Sequence, residues 1–365
     1  MKGIIVGGGI IGLSIARELN KLGYEITILE KNLLGRGASW AAGGMLAPQA
    51  EGLTGDFLNF SVESREMYKE FVQQIEKETG YEVSYYECGI VCPAFSEKEM
   101  ENLFKRVDYY NKLGLESKIL TRQEILDMGI KISNFVIGGA FFPHDKQVDN
   151  RKLVVSLVKY AKNSNITVKE LTEVKFIEVN NGIFQRVVTN NGTFEADFCV
   201  LAAGAWSGEL EPIKVFPIKG QMLSFKTKIK NEISKILYSS RAYIIPRKDS
   251  NLVVVGATQE NVFFKEGNTV SGIFLLLKGL LETLPSTKDY EITETWYGFR
   301  PATPDGLPIL GKSEIKNLYY ATGHYRNGIL LAPITAKLIT QLIHKGEESP
   351  YLKMFDFSRF YIKEE

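Results

Sequence analysis

The stretch that decides the fold is KGIIVGGGIIGLSIARELNKLGYEITILEK, residues 2–31. Its apolar run from Ile4 to Val6 predicts a buried parallel strand, which is followed by a glycine turn and an amphipathic helix. Gly7, Gly9 and Gly12 form the pattern G-x-G-x-x-G. In that pattern the first glycine turns the chain, the second lets the backbone approach a pyrophosphate, and the third lets helix and strand pack closely.

The helix after the turn is predicted from Ile10 to Leu22, because apolar residues recur at helical spacing and Gly23 is a natural stop. The residues of its apolar face are Ile11, Ile15, Leu19 and Leu22.

An acidic residue, Glu30, follows the second predicted strand, Glu25 to Leu29, and lies 18 residues after Gly12. A carboxylate there accepts hydrogen bonds from ribose hydroxyls and repels a 2′-phosphate. The strand, the glycines, the helix and the acid together predict a dinucleotide site. They do not separate FAD from NAD.

The bulk composition points to a small partner. The chain has 365 residues, with 44 Lys and Arg against 43 Asp and Glu, so its net charge is +1. This balance predicts neither nucleic acid nor an anionic membrane as partner. The length predicts two domains rather than one core.

The cysteines and the N-terminus indicate a cytoplasmic protein. Cys88, Cys92 and Cys199 form no CxxC pair and have no zinc-site spacing, so a reduced protein is expected. The apolar run 3–16 is rich in glycine, is explained by the βα unit and is shorter than the ~20 residues of a membrane span.

The rest of the chain predicts two further structural regions. Amphipathic helices are expected at 61–79 and 98–113. Residues 166–203 alternate polar and apolar, with Asn-Gly turns at 181–182 and 191–192 that predict two hairpins. The tract ends in FCVLAAG, an apolar strand expected to return to the first sheet.

A second β tract spans 215–300 and is interrupted by a predicted helix from Ser271 to Leu284. Residues 317–346 read as strand, glycine turn and helix, and the buried face of this helix is predicted as Ile334, Leu338, Ile339 and Leu342. Strands at 4, 26, 198 and 318 are therefore expected in one sheet, with the intervening segments partly in another. The fold class is α/β with two discontinuous domains.

Seven further motifs carry a resemblance to a known family. In chain order they are AAGGMLAP (41–48), LAAGAWS (201–207), PIKGQ (217–221), YIIPR (243–247), LVVVGAT (252–258), GFRPATPDGLPILG (298–311) and GHYRNGILLAP (323–333). Together with the N-terminal unit they resemble the D-amino acid oxidase superfamily of FAD enzymes, and most closely the glycine oxidases. The resemblance implies a Rossmann-type FAD-binding domain from 1–85, 145–214 and 301–365. It implies a mainly antiparallel substrate-binding domain from 86–144 and 215–300.

The resemblance implies that FAD is bound non-covalently, because a covalent link needs a cysteine near the C-terminal glycine loop and none follows Cys199. The residues that it assigns to the cofactor are Gly7, Gly9, Ile10, Ile11, Gly12, Glu30, Lys31, Ala38, Ser39, Gly43, Gly44, Met45, Val174, Gly204, His324, Tyr325, Arg326, Asn327, Gly328, Ile329 and Leu330. The last seven would bring backbone amides and a helix start to the flavin.

The substrate residues implied by the resemblance are Arg300, Tyr243 and Arg326. A guanidinium offers a planar two-pronged fit to a carboxylate, and Tyr243 would add a hydroxyl. For Arg326 a structural pair with a carboxylate elsewhere stays an alternative. The sequence departs from glycine oxidases at Arg241 and Gln259, which leaves the choice of substrate open.

The implied reaction is oxidative deamination of glycine and other small amines or D-amino acids. It yields an imine, then glyoxylate, ammonia and hydrogen peroxide, and the glycine imine would feed thiazole assembly for thiamine. Oriented binding and a neutral amine suffice, so no protein base is expected. Oxygen is the expected acceptor, and relatives suggest a homotetramer.

Three alternatives remain at this point. One is a D-amino acid or sarcosine dehydrogenase or oxidase of the same superfamily. Another is a non-catalytic or RNA-associated flavoprotein, against which the balanced charge argues. The third is an NAD dehydrogenase, which would share the first motif and has no need of GHYRNGILLAP.

Overall fold

A computed structural model describes residues 1–361 of the chain. Over those residues it is a mixed α/β protein with parallel and antiparallel sheets, as the sequence predicts.

The strands of the described residues are numbered in chain order. They are β1 (Lys2–Val6), β2 (Glu25–Leu29), β3 (Met45–Leu46), β4 (Tyr85–Tyr86), β5 (Ile90–Ala94), β6 (Lys118–Thr121), β7 (Gly138–Phe142), β8 (Lys146–Val148), β9 (Thr167–Lys169), β10 (Val174–Asn180), β11 (Ile183–Thr189), β12 (Gly192–Glu195), β13 (Phe198–Leu201), β14 (Phe216–Lys226), β15 (Ile236–Tyr238), β16 (Tyr243–Pro246), β17 (Leu252–Gly256), β18 (Glu291–Ala302), β19 (Ile309–Lys312) and β20 (Leu318–Thr322).

The α-helices are numbered in the same way. They are α1 (Ile10–Lys21), α2 (Ala38–Ala41), α3 (Gly55–Thr79), α4 (Glu97–Lys112), α5 (Arg122–Asp127), α6 (Asn150–Asn163), α7 (Ser207–Leu210), α8 (Val270–Thr283), α9 (Gly328–Lys345) and α10 (Pro350–Met354). Short 3₁₀ helices cover Gly204–Trp206, Pro285–Thr287 and Phe357–Phe360.

A six-stranded sheet forms around β1, in the order β19-β20-β13-β1-β2-β9. β1 is parallel to β2 and β13, and β13 is parallel to β20, so the four strands predicted to share a sheet do so. Alternate residues divide between two cores. Ile5 faces the helical layer formed with α1, α6 and α9, and Ile4 faces the β10-β11-β12 sheet.

An eight-stranded sheet lies beside it, in the order β18-β14-β17-β16-β15-β5-β7-β6. Its longest pairing joins β14 and β18, with Ile218 opposite Arg300 and Gly220 opposite Gly298. α8 packs on one face of this sheet through Leu276 and Leu280. The third sheet is β10-β11-β12, and the fourth, β3-β8-β4, is a small one.

Some predicted boundaries differ from the structure. α1 ends at Lys21, and Leu22 is 48% exposed rather than buried, because it belongs to the turn that leads to Gly23. The second hairpin turns at 190–191, since Gly192 already pairs with Thr189. α3 begins at Gly55, six residues before the predicted start.

The predicted domain ranges stay a prediction, although the two larger sheets draw their strands mostly from different ranges. β18 continues to Ala302, two residues past the predicted boundary at 300. β8 pairs with β3 and β4. Residues 362–365 of the first predicted domain lie outside the described residues.

Candidate active site

A single large cavity collects most of the residues that the sequence singled out. It holds about 1850 Å³ of space, including its open mouth, and its walls come from both large sheets. Of the predicted site residues, Gly12, Asn327 and Leu330 do not line it. The predicted residues that do are Gly7, Gly9, Ile10, Ile11, Glu30, Lys31, Ala38, Ser39, Gly43, Gly44, Met45, Val174, Gly204, Tyr243, Arg300, His324, Tyr325, Arg326, Gly328 and Ile329.

The N-terminus of α1 opens into this cavity. Gly7 has a φ of 109°, and a Cβ there would lie 2.3 Å from the carbonyl oxygen of Ala202. Gly9 is the N-cap and offers no side chain, while the Ile10 N–H donates to Ser39 Oγ at 2.9 Å. The helix start has no acidic residue in its first turn. Backbone amides and the positive helix end therefore favour an anion at this place.

Glu30 is held in position by backbone amides. Gly8 N–H donates to Glu30 Oε2 at 2.8 Å, and Asn32 N–H donates to Glu30 Oε1 at 2.9 Å. Beside it, Lys31 Nζ lies 3.4 Å from the centre of the Trp206 ring. Burial lowers the pKa of Lys31. A fixed carboxylate at the end of β2 suits ribose hydroxyls, as the sequence predicts.

Two residues whose role was not predicted from the sequence, Arg247 and Asn150, hold the small-residue loop 38–45 in place. Arg247 donates to Gly43 O at 3.0 Å and to Asn150 Oδ1 at 2.8 Å. Asn150 Nδ2 in turn donates to Ser39 O at 2.9 Å. Arg247 is the last residue of the YIIPR motif. Its role was not predicted, because no local sequence pattern reveals a contact with a loop some 200 positions away.

The segment before α9 forms another wall. Tyr325 has a φ of 47°, and its N–H donates to Pro301 O at 2.8 Å. Asn327 is the N-cap of α9 and makes no side-chain capping bond, so helix amides remain directed toward the cavity. His324 is buried, and its Nε2 lies 3.1 Å from Thr335 Oγ1. Burial lowers the pKa of His324 to about 3, so the imidazole is neutral.

Arg300 and Tyr243 meet in this cavity because glycines make room for them. A Cβ at Gly220 would lie 2.3 Å from Arg300 Nη1, and one at Gly256 would lie 2.3 Å from Tyr243 Cε2. Arg300 Nη1 donates to Thr258 O at 3.0 Å. No carboxylate of residues 1–361 forms an ion pair with it.

Tyr243 donates its hydroxyl proton to Met222 Sδ at 3.1 Å. Burial raises the pKa of Tyr243, and the charge of Arg300 partly opposes that rise. The Tyr238 ring stacks on Tyr243 with its centroid 6.4 Å away, and it also lines the cavity. The phenol therefore stays a neutral hydroxyl beside the guanidinium.

Arg326 has a specific carboxylate neighbour. Its Nη2 lies 3.6 Å from Glu51 Oε2, and both side chains line the cavity. Glu51 was missed in the sequence because it sits in an irregular segment just past AAGGMLAP. The alternative of a structural pair for Arg326 thus has a named partner within the site.

The two departures from glycine oxidases lie outside the cavity. Arg241 Nε is 3.5 Å from Glu282 Oε2, and neither lines the cavity wall. Gln259 is exposed and is likewise absent from the wall. Neither residue therefore contacts a ligand held between Arg300 and Tyr243.

Other site types are not found in the described part of the chain. Residues 1–361 contain no group of three or more His, Cys, Asp or Glu that could hold a metal ion. None of their helices combines the length and the apolar character needed to cross a bilayer. All three cysteines are buried and free, and none lines the cavity.

The fold and the cavity define a dinucleotide-binding protein, whose cavity extends from the glycine turn of β1 to a half-buried arginine on a second sheet. The chain matches the family described as FAD dependent oxidoreductase over residues 3–342 and belongs to it. FAD is therefore its cofactor.

Known relatives agree with this assignment. A glycine oxidase of Geobacillus kaustophilus is 32% identical over 97% of this chain and 96% of its own length. The crystal structure of glycine oxidase from that organism superposes with a TM-score of 0.94, at 31% identity and covering 98% of both chains. A bifunctional protein ThiO/ThiG of Trichormus variabilis is 40% identical over 98% of this chain and 55% of that protein. The chain thus spans about half the length of the bifunctional relatives.

The residues present fit FAD. The open N-terminus of α1 suits its pyrophosphate, and Glu30 suits its adenosine ribose. The uncapped start of α9 suits the ring that gains negative charge on reduction. At Gly9 a Cβ would meet Ser39 Oγ at 3.3 Å and would otherwise project into free space.

The first prediction separates the roles of two glycines. A Cβ at Gly12 would lie 2.0 Å from Gly7 O and 3.1 Å from Ile5 Cγ2. We expect Gly12→Ala to lower the free energy of unfolding in urea by about 2 kcal/mol or more, through overpacking. Gly9→Ala should cost about 1 kcal/mol or less in stability and weaken FAD binding about tenfold or more.

Fluorescence titration of apoprotein with FAD measures the second effect, and urea unfolding of the apoprotein measures the first, because bound FAD would add its binding energy to the stability. Equal losses of stability in the two variants would contradict the division of roles.

The second prediction concerns His324 and acid. Its pKa is about 3 in the folded state against 6.5 as a free side chain, so between pH 7 and pH 5 only the unfolded chain takes up the proton. Stability is therefore lost as pH falls, by about 2 kcal/mol over that interval. His324→Gln should remove this part of the pH dependence in urea unfolding.

His144→Gln is the matched control, because His144 is exposed and does not line the cavity. A wild-type slope in the His324 variant would show that the imidazole is not held neutral.

Proposed function

We propose that the chain is an FAD-dependent amine oxidase that deaminates glycine and other small amines. The observation that carries the proposal is Arg300, a guanidinium without a carboxylate partner among residues 1–361, in the cavity that the cofactor also occupies. A half-buried cation without an ion-pair partner, placed in such a cavity, favours binding of an anion from outside. The glycine oxidases among the relatives support glycine as that ligand.

In this proposal Arg300 holds the substrate carboxylate by two parallel charge-assisted bonds. Thr258 O fixes one end of the guanidinium, and the Tyr243 hydroxyl would exchange its bond to Met222 Sδ for one to the same carboxylate. FAD, when bound, supplies the two-electron acceptor for oxidation of the C–N bond, and oxygen is its oxidant. The products are the imine, then glyoxylate and ammonia, with hydrogen peroxide.

The protein contributes orientation rather than a base. His324 is the histidine of the cavity wall, and its ring is neutral, buried and directed at Thr335. Tyr243 has a raised pKa and is no acceptor of protons at neutral pH. We propose that the amine binds or becomes neutral without a protein base, and that the carboxylate clamp sets the position of the α-carbon.

The cofactor and substrate roles of the predicted residues, and the two-domain division, belong to the same proposal. Arg326 would contact the flavin side of the site, with Glu51 as its neighbour. The bifunctional relatives support a role in supplying the glycine imine for thiazole, and so thiamine, synthesis. A D-amino acid or sarcosine dehydrogenase is the less favoured reading. Free buried cysteines are in keeping with a cytoplasmic, reducing setting.

The third prediction tests the activity and the clamp together. Purified yellow protein should form peroxide in air when glycine is added. Arg300→Ala should raise the KM for glycine about 10-fold to 200-fold, because one bidentate charged contact of about 1.5–3 kcal/mol is lost. The flavin absorbance of the variant should be that of the wild type.

Arg300→Lys is the matched control, since it keeps the charge and loses the fork, and we expect an intermediate KM. Bleaching of the flavin by glycine without peroxide would indicate a dehydrogenase. An unchanged KM in the alanine variant would refute the clamp.

We also propose that the protein is a homo-oligomer, as the resemblance to tetrameric relatives implies. α8 exposes an apolar face: Val270 is 91% exposed and Phe274 62%. Leu275 and Leu281 extend this face. Apolar helix faces of this kind mark protein–protein contacts.

The fourth prediction follows from that face. Light scattering on the wild type should give a multiple of the 41.0 kDa chain mass. Phe274→Asp should shift the mass toward the monomer, because a buried charge weakens the contact. Phe176→Asp, at an exposed phenylalanine of β10, should leave the mass unchanged. A monomeric wild type would contradict the proposal.

A further inference from the structure

Glu51 is the buried carboxylate of the cavity wall that the mechanism above does not use. Its side chain is 7% exposed, and Oε2 has no hydrogen-bond donor among residues 1–361. A buried carboxylate oxygen without a donor is costly, so its retention in a ligand cavity points to a function there.

The backbone segment that carries Glu51 is held in place by hydrogen bonds. Its N–H donates to Ala47 O at 3.0 Å. The preceding residue, Ala50, donates its N–H to Asp145 Oδ2 at 2.7 Å, and Asp145 is paired with Arg65 at 2.8 Å. The carboxylate therefore cannot leave the cavity by a simple movement of its backbone.

The charged groups around Glu51 determine the net charge at the substrate end of the cavity. Arg326 Nη2 is 3.6 Å from Oε2, which is an ion pair without a hydrogen bond. Arg300 also lines this end and forms no ion pair with a carboxylate of residues 1–361. Burial raises the pKa of Glu51, and the charges of Arg326 and Arg300 oppose that rise. Two guanidiniums and one carboxylate leave a net charge of +1.

We propose that Glu51 is a specificity-determining residue, which neutralises Arg326 and so restricts the site to substrates with one carboxylate. The inference rests on the proposed function, because it refines the substrate class of that same site. A single carboxylate on Arg300 completes the charge balance. A second carboxylate, on a longer substrate, would approach Arg326 beside the fixed charge of Glu51.

The physical reason is like-charge repulsion in a partly dry cavity. Two carboxylates near one guanidinium cannot both be compensated, and screening is reduced on the side of Glu51, which is buried, although Arg326 is 39% exposed. An uncharged side chain of the same size meets no such repulsion. The site should therefore prefer a monoamide over the matching diacid and should accept neutral D-amino acids better than D-aspartate.

The test compares two ligands of nearly the same size and shape that differ by one negative charge. Isothermal titration calorimetry of the holoenzyme gives dissociation constants for succinate and for succinamate. We expect the dissociation constant of wild-type protein for succinamate to be at least about tenfold lower than that for succinate. Glu51→Gln should lower the preference about tenfold, because Arg326 then accepts the second carboxylate. A change in the ratio of less than about threefold would overturn the proposal, and a larger fall supports it.

Further variants keep the test decisive if Glu51→Gln folds poorly. Arg326→Gln leaves Glu51 without its cation and should increase the preference for succinamate; a fall would overturn the proposal. Glu25→Gln, at an exposed carboxylate far from the cavity, should not change the ratio. In each variant, the preference for D-asparagine over D-aspartate in peroxide formation should change in the same direction as the calorimetric preference for succinamate over succinate.

The two hypotheses fail in different ways. Absence of peroxide from the wild type with glycine would refute the proposed oxidase, while calorimetry would still measure the role of Glu51 in ligand charge. Peroxide from glycine together with equal binding of succinate and succinamate would retain the oxidase and refute the selectivity.

Discussion

The close approach of α1 to the end of β1 is the constraint on which the site depends. No Cβ fits at Gly7 or Gly12, because each would collide with backbone atoms. The helix therefore begins where the strand ends, and its N-cap, Gly9, has no side chain that competes for the helix amides, although Ile10 N–H donates to Ser39 Oγ. β13, parallel to β1, brings Ala202 against the same turn. A change that moved α1 outward would displace the anion site and the packing of the helical layer together.

Glycines also make room for the proposed substrate residues on the second sheet. Gly220 leaves room for the guanidinium of Arg300, and Gly256 leaves room for the ring of Tyr243. Because these side chains lie over glycines of paired strands, backbone hydrogen bonds fix their positions more firmly than a loop would. The half-buried guanidinium held in this way has no ion-pair partner among residues 1–361, and a bound carboxylate would supply one. Stability and binding are thus in opposition at Arg300.

Local pattern explains what the sequence could predict. The strand, glycine turn and helix of residues 2–31 carry their own periodicity, and this sufficed to predict β1, α1 and β2 and to indicate a dinucleotide site at their junction. Contacts between segments that are far apart in the chain produce no local sequence pattern. Arg247 reaches Gly43, and Glu51 reaches Arg326, across more than 200 residues in each case. The prediction that Leu22 belongs to the buried helix face was wrong for a simpler reason, because helical periodicity does not show where the helix ends.

The electrostatics of α9 explain why a carboxylate belongs beside Arg326. The uncapped N-terminus of this helix already directs partial positive charge into the cavity, and Arg326 adds a full charge nearby. Without Glu51, an incoming carboxylate would find two attractive positions, one at Arg326 and one at Arg300. With Glu51 in place, Arg300 is the stronger attractor, so one orientation of a small amino acid is favoured over its reverse. Selection of charge and selection of orientation would then follow from the same ion pair, and the neutral His324 ring adds no competing charge to either.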